Sequence, residues 1–113
     1  MLFSESLKKN EDFRRVYNKK RSFANKYFVM YILENGSERN RLGISVSKKT
    51  GNSVIRHRIT RLVREGYRLN EEKFHSGWDI VVVARSSAAG IDYAGAESAL
   101  LHLGRLHRIL NAK

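Results

Sequence analysis

The chain contains no cysteine, no proline, one tryptophan and only 11 acidic residues among 113. Without cysteine, neither a disulfide framework nor a thiolate metal site can form. No repeat, low-complexity tract or Pro/Ser linker divides the chain, and its length suits a single hydrophobic core. No apolar run is long enough to span a bilayer. Residues 1–20 lack the apolar core of a signal peptide, because Leu2, Phe3 and Leu7 are separated by polar residues. The expectation is one domain, residues 1–113, in the cytoplasm and not in a membrane.

Catalytic signatures are also lacking. His57, His75, His102 and His107 do not have metal-ligand spacing. His102 and His107, five apart, would diverge by about 140° on a helix. Glu11, Asp12, Asp79 and Glu97 are scattered and form no carboxylate pair for a two-metal nuclease. Lys48-Lys49-Thr50-Gly51-Asn52 lacks the spacing of a nucleotide-binding P-loop and reads instead as a positive turn feeding a helix N-terminus. The residues describe a protein that binds and does not cut.

What the chain has in excess is positive charge. Lys and Arg number 22, for a formal net charge of +11. A compact body with that charge repels itself, and a polyanionic partner is its natural complement. Nucleic acid leads, because each neutralised phosphate releases condensed counterions.

Residues 54–69 concentrate the charge. Wound at about 100° per residue, they place Ile55, Ile59, Leu62, Val63, Gly66 and Leu69 on one face. His57, Arg61, Arg64 and Arg68 line up opposite, with Arg56, Thr60 and Tyr67 on one flank and Arg58 on the other. Burying the apolar stripe leaves a rigid cationic ridge outside. A solvated helix normally interleaves acids, yet Glu65 is the only one between Thr50 and Asn70.

Elsewhere, Asn10 reads as the N-cap of a short helix with Phe13, Val16 and Tyr17 on one face, ended by Lys19-Lys20-Arg21. Phe13 and Tyr17 suit a core, or a stacking platform if they share a groove with basic residues. Residues 27–33 alternate as a strand, which leaves Tyr31 facing away from Met30 and Ile32. Asn35-Gly36 reads as a hairpin loop into a second strand, where Leu42, Ile44 and Val46 alternate with the nearly bare Gly43, Ser45 and Ser47. That bare face would admit either a ligand or a helix. Residues 78–84 read as a strand buried on both sides. Asp92 caps a last helix with an apolar stripe of Ala96, Ala99, Leu100, Leu103, Leu106 and Leu110. The order α-β-β-α-β-α gives an α+β two-layer sandwich.

The segment from Leu42 to Glu65, LGISVSKKTGNSVIRHRITRLVRE, resembles the signature of the bacterial ribonuclease P protein subunit. The likeness extends to Lys8–Phe13, Ala24-Asn25, Phe28-Val29, Tyr31 and Asp79–Arg85, and so covers nearly the whole chain. The resemblance implies the fold of ribosomal protein S5 domain 2, with a left-handed β-α-β crossover through the basic helix. It implies a small basic protein that joins a catalytic RNA, which hydrolyses precursor tRNA with bound Mg²⁺. The protein would itself carry no catalytic residue, hold no cofactor and need no obligate protein partner.

By the same resemblance, Arg56, His57 and Arg58 occupy an Arg-Asn-Arg motif facing the catalytic RNA, extended by Arg61 and Arg64. Lys49, Asn52 and Arg68 border that RNA-subunit surface. Phe13, Tyr17, Tyr31, Ser47, Lys48 and Arg85 match positions that bind the 5′ leader of precursor tRNA. The chain departs at His57, usually asparagine, and at Thr60, frequently lysine. A structural ribosomal-RNA-binding protein is the rival reading. A DNA-binding helix is a third, without a helix-turn-helix pair to support it.

Overall fold

The computed structural model describes residue 1 and residues 3–111; Leu2 lies outside the described residues. The elements are β1 (Ser4–Ser6), α1 (Asn10–Lys19), β2 (Ser22–Ala24), β3 (Phe28–Glu34), β4 (Asn40–Val46), α2 (Ser53–Leu69), β5 (Trp78–Ala84) and α3 (Tyr93–Leu106). The expected α+β class and helix–strand order are observed, with β1 and β2 added at the two ends of a five-stranded sheet, β1-β4-β5-β3-β2.

The expected hairpin between β3 and β4 does not form. β5 lies between them, antiparallel to β3 and parallel to β4, so β4–α2–β5 is a crossover unit. The Asn35-Gly36 loop instead strides over the start of β5. The Asn35 amide N–H donates to the Gly77 carbonyl at 2.9 Å, and its side-chain Nδ2 donates to Asp79 Oδ1 at 3.0 Å. The apolar run of β5 suits the centre of the sheet, where both its faces are covered.

The two faces carry different helices. Phe28, Met30, Ile32, Leu42, Ile80 and Val82 join α2 and α3 in the main core. Val81 lies on the other face in a smaller cluster with Leu7, Val16, Phe13, Tyr17 and Tyr31. α1 therefore sits alone on its side of the sheet. Its N-cap is Lys9 and not Asn10, and no side chain caps it.

Four side chains depart from their expected places. Tyr67, assigned to a flank of α2, is fully buried, while Leu69, assigned to the buried stripe, is 56% exposed. Ser4 Oγ lies 2.7 Å from the Tyr67 hydroxyl, and Asn40 Nδ2 donates to that oxygen at 3.2 Å. These partners satisfy the phenol, so the helix can turn its large ring inward. The other two come from the stripe expected on the last helix: α3 ends at Leu106, which is exposed, and Leu110 lies beyond the helix in a bridge to Phe74, while His107 and Ile109 fill the core instead.

Candidate nucleic-acid interface

Asn52 sets the start of α2: its Oδ1 accepts the Ile55 amide N–H at 3.0 Å. Burial of Ile59, Val63, Gly66 and Tyr67 then fixes the helix rotation and turns His57, Arg58, Arg61 and Arg64 to solvent. Among the described residues, Arg58, Arg61 and Arg64 make no ion pair. They keep their guanidinium forks available for phosphate oxygens.

Arg68 differs. It grips Glu65 through two bonds, Nη2 to Oε2 at 2.6 Å and Nε to Oε1 at 2.9 Å. These bonds raise the Arg68 pKa and hold the Glu65 carboxyl below the usual carboxylate range. Arg56 is half-buried, and its buried Nε has no hydrogen-bond partner among the described residues. Thr60 turns its hydroxyl back to the Arg56 carbonyl at 3.0 Å. Lys49 and Asn52 are exposed just ahead of the helix. His57, Arg58 and Arg61 border a groove of about 790 Å³ together with Val54, Leu62 and Glu65.

A second site lies across the sheet. Phe13 and Tyr17 are one turn apart on α1, their ring centroids 6.4 Å apart, and Tyr17 meets Tyr31 of β3 edge-on at 4.9 Å. All three rings are half-buried: each gives one side to the small core and keeps another open. Gly43 makes this possible, since a Cβ there would stand 2.6 Å from Phe13 Cζ. The bare strand face lets a helix approach at Gly43 and borders an open groove at Ser45.

That groove, about 380 Å³, is bordered by Asn10, Phe13, Arg14, Tyr17, Ile44 and Ser45. Asn10, Arg14 and Ser45 were not among the residues predicted, although 10, 13, 14 and 17 follow a helical i, i+3, i+4, i+7 spacing. Ser47 and Lys48 follow β4, and Arg85 follows its neighbour β5, where Val46 pairs with Ala84. All three are exposed at that edge, and Arg85 Nη1 donates to the Asn25 carbonyl at 2.9 Å.

Among the described residues, no three His, Asp or Glu side chains gather as a metal site, and no helix is long and apolar enough to cross a membrane. Two buried acids beside α1 are engaged: Asp12 pairs with Arg15 and Arg41, and Asp79 takes two bonds from Arg41 at 2.8 and 2.6 Å.

A cationic helix on one face of an α+β sheet and an aromatic groove on the other define a class, that of small RNA-binding proteins. The family described as Ribonuclease P matches residues 1–107, and the chain belongs to it. It is 57% identical over 109 residues to the ribonuclease P protein component of Lachnoclostridium phytofermentans, covering 96% of this chain and 94% of that one. It is 53% identical over 106 residues to that of Alkaliphilus oremlandii, covering 94% and 93%. The ribonuclease P protein of Staphylococcus aureus superposes with a TM-score of 0.86 at 38% identity, covering 94% of this chain and 97% of that one. That of Thermotoga maritima gives 0.83 at 33% identity, covering 94% and 98%. The family supplies the protein component of an RNA–protein endoribonuclease that processes the 5′ end of tRNA precursors.

Proposed function

We propose that residues 1–113 act as one domain holding two RNA elements on separate surfaces. Arg56, His57, Arg58, Arg61 and Arg64, with Lys49, Asn52 and Arg68 at the margins, take the ribonuclease P RNA. Phe13, Tyr17 and Tyr31, with Ser47, Lys48 and Arg85 at the strand ends, take the single-stranded 5′ leader of precursor tRNA. The observation that carries this reading is that Arg58, Arg61 and Arg64 make no ion pair among the described residues, on a helix whose other face is locked into the core.

The mechanism is electrostatic and positional. Two polyanions must be brought together, and each phosphate neutralised by a fixed guanidinium releases counterions and lowers their repulsion. The open sides of the rings offer stacking surface for the unpaired bases of a 5′ leader, a segment that mature tRNA lacks. Mg²⁺ belongs with the RNA subunit, which breaks the phosphodiester; the protein needs no cofactor or protein partner of its own. Its compartment is the cytoplasm.

Cleavage of precursor tRNA by the RNA subunit at low Mg²⁺, with and without this protein, tests the reading. Strong stimulation is expected. Its absence would reject both the role and the surface assignments.

A further inference from the structure

Three arginines surround α1, and the structure treats them differently. Arg15 Nη1 lies 3.2 Å from Asp12 Oδ1. Arg41 is shared between Asp12 at 3.4 Å and Asp79 at 2.6 Å. Arg14 is exposed, borders the groove with Phe13, Tyr17 and Ser45, and has no ion pair or side-chain hydrogen bond among the described residues. Asp12 and Asp79 are thus taken up by the two arginines outside the groove. The one beside the rings is left free. Its position one turn before Tyr17 puts both residues on the border of the same groove, so a base stacked there would bring its own phosphate toward the cation.

We propose that Arg14 binds a phosphate of the 5′ leader and forms the cationic lip of the aromatic groove. This rests on the leader-groove reading above and adds to it a residue and a ligand group. A guanidinium fork matches two phosphate oxygens, so the contact is read as charge and is indifferent to leader sequence.

The test uses the assembled holoenzyme, with precursor and mature tRNA as ligands, and measures affinity over a salt series for Arg14→Gln, Arg15→Gln and Tyr17→Ala. For Arg14→Gln, the log–log salt slope for precursor tRNA should become shallower by about 0.7, the value for one single-strand phosphate contact. Mature tRNA should be unaffected, and Arg15→Gln should behave as wild type. An unchanged slope in Arg14→Gln, with Tyr17→Ala still weakening precursor binding selectively, would overturn the proposal and leave the groove reading standing. Equal slope changes for precursor and mature tRNA would also overturn it, since the contact would then lie outside the leader. If Tyr17→Ala also failed to separate the two ligands, the groove reading itself would fall.

Discussion

Arg61, Arg64 and Arg68 present the same side chain from the same helix, yet among the described residues only Arg68 pairs with a carboxylate. Spacing placed the three together; the Glu65 contact, one turn away, separates them. Arg61→Ala and Arg64→Ala should each make the salt dependence of RNA-subunit binding shallower by roughly one log–log unit. Glu65→Gln removes the carboxylate and frees Arg68, so it should tighten RNA binding at low salt. Titrations of the RNA subunit at several salt concentrations check both, and a Glu65→Gln protein that binds as wild type would mean that Arg68 does not reach the RNA.

His107 shows a residue whose role spacing could not reveal. It sits past α3, 3% exposed, with Nε2 2.7 Å from the Met30 carbonyl and its ring edge-on to Phe23 at 4.8 Å. The carbonyl can only accept, so the neutral ring donates from Nε2. Burial pushes its pKa below the ordinary 6.5. Below pH 6.5 the unfolded chain therefore takes up a proton that the folded one resists, and stability falls with pH through that window. His107→Gln can keep the donor without titrating, so its stability should fall less steeply than wild type from pH 6.5 downward in denaturant melts. Parallel curves would show that His107 charges as readily folded as unfolded.

At the scale of elements, the sequence was most legible where one period dominates. β5 runs over the residues expected, and α2 begins one residue before its expected start. β1 and β2, three residues each, carry no alternation to read and exist through pairing with β4 and β3. The missing hairpin has the same cause. Asn35-Gly36 gives a tight turn, but only long-range pairing decides whether its flanking strands are neighbours, and β5 is the more apolar partner for both. The candidate site residues could be named from the sequence, but not their division between two sheet faces. That division hangs partly on Gly43, which seats α1 against β4. Gly43→Ala would place a methyl 2.6 Å from Phe13 Cζ and 3.2 Å from Leu7 Cβ. The ring can swing away and Leu7 cannot, so the variant should fold with a loss of about 1–3 kcal/mol. It should also weaken precursor tRNA binding more than mature tRNA binding. A variant that lost stability without changing that ratio would detach Phe13 from the leader.

At the scale of the whole molecule, the sheet separates the two proposed RNA surfaces. They converge only at one edge, where parallel β4 and β5 end together and Ser47, Lys48, Lys49 and Arg85 stand exposed beside the start of α2. The body measures 36 × 33 × 24 Å and carries a formal +11, so most of its cations lie within a low-salt Debye length of about 30 Å of one another. Self-repulsion then opposes folding in dilute buffer. Raising the salt to physiological strength cuts that length to about 8 Å, so the melting temperature of the free protein should rise. In complex with the RNA subunit, the RNA already supplies the countercharge and stabilises the fold by mass action. Salt weakens that binding, so the melting temperature of the complex should fall toward that of the free protein as salt rises. Opposite signs for the same titration, read by thermal melts with and without RNA, follow from cations left uncompensated within the chain. A free protein indifferent to salt would mean that its own carboxylates neutralise the ridge, against Arg58, Arg61 and Arg64 of α2, which make no ion pair among the described residues.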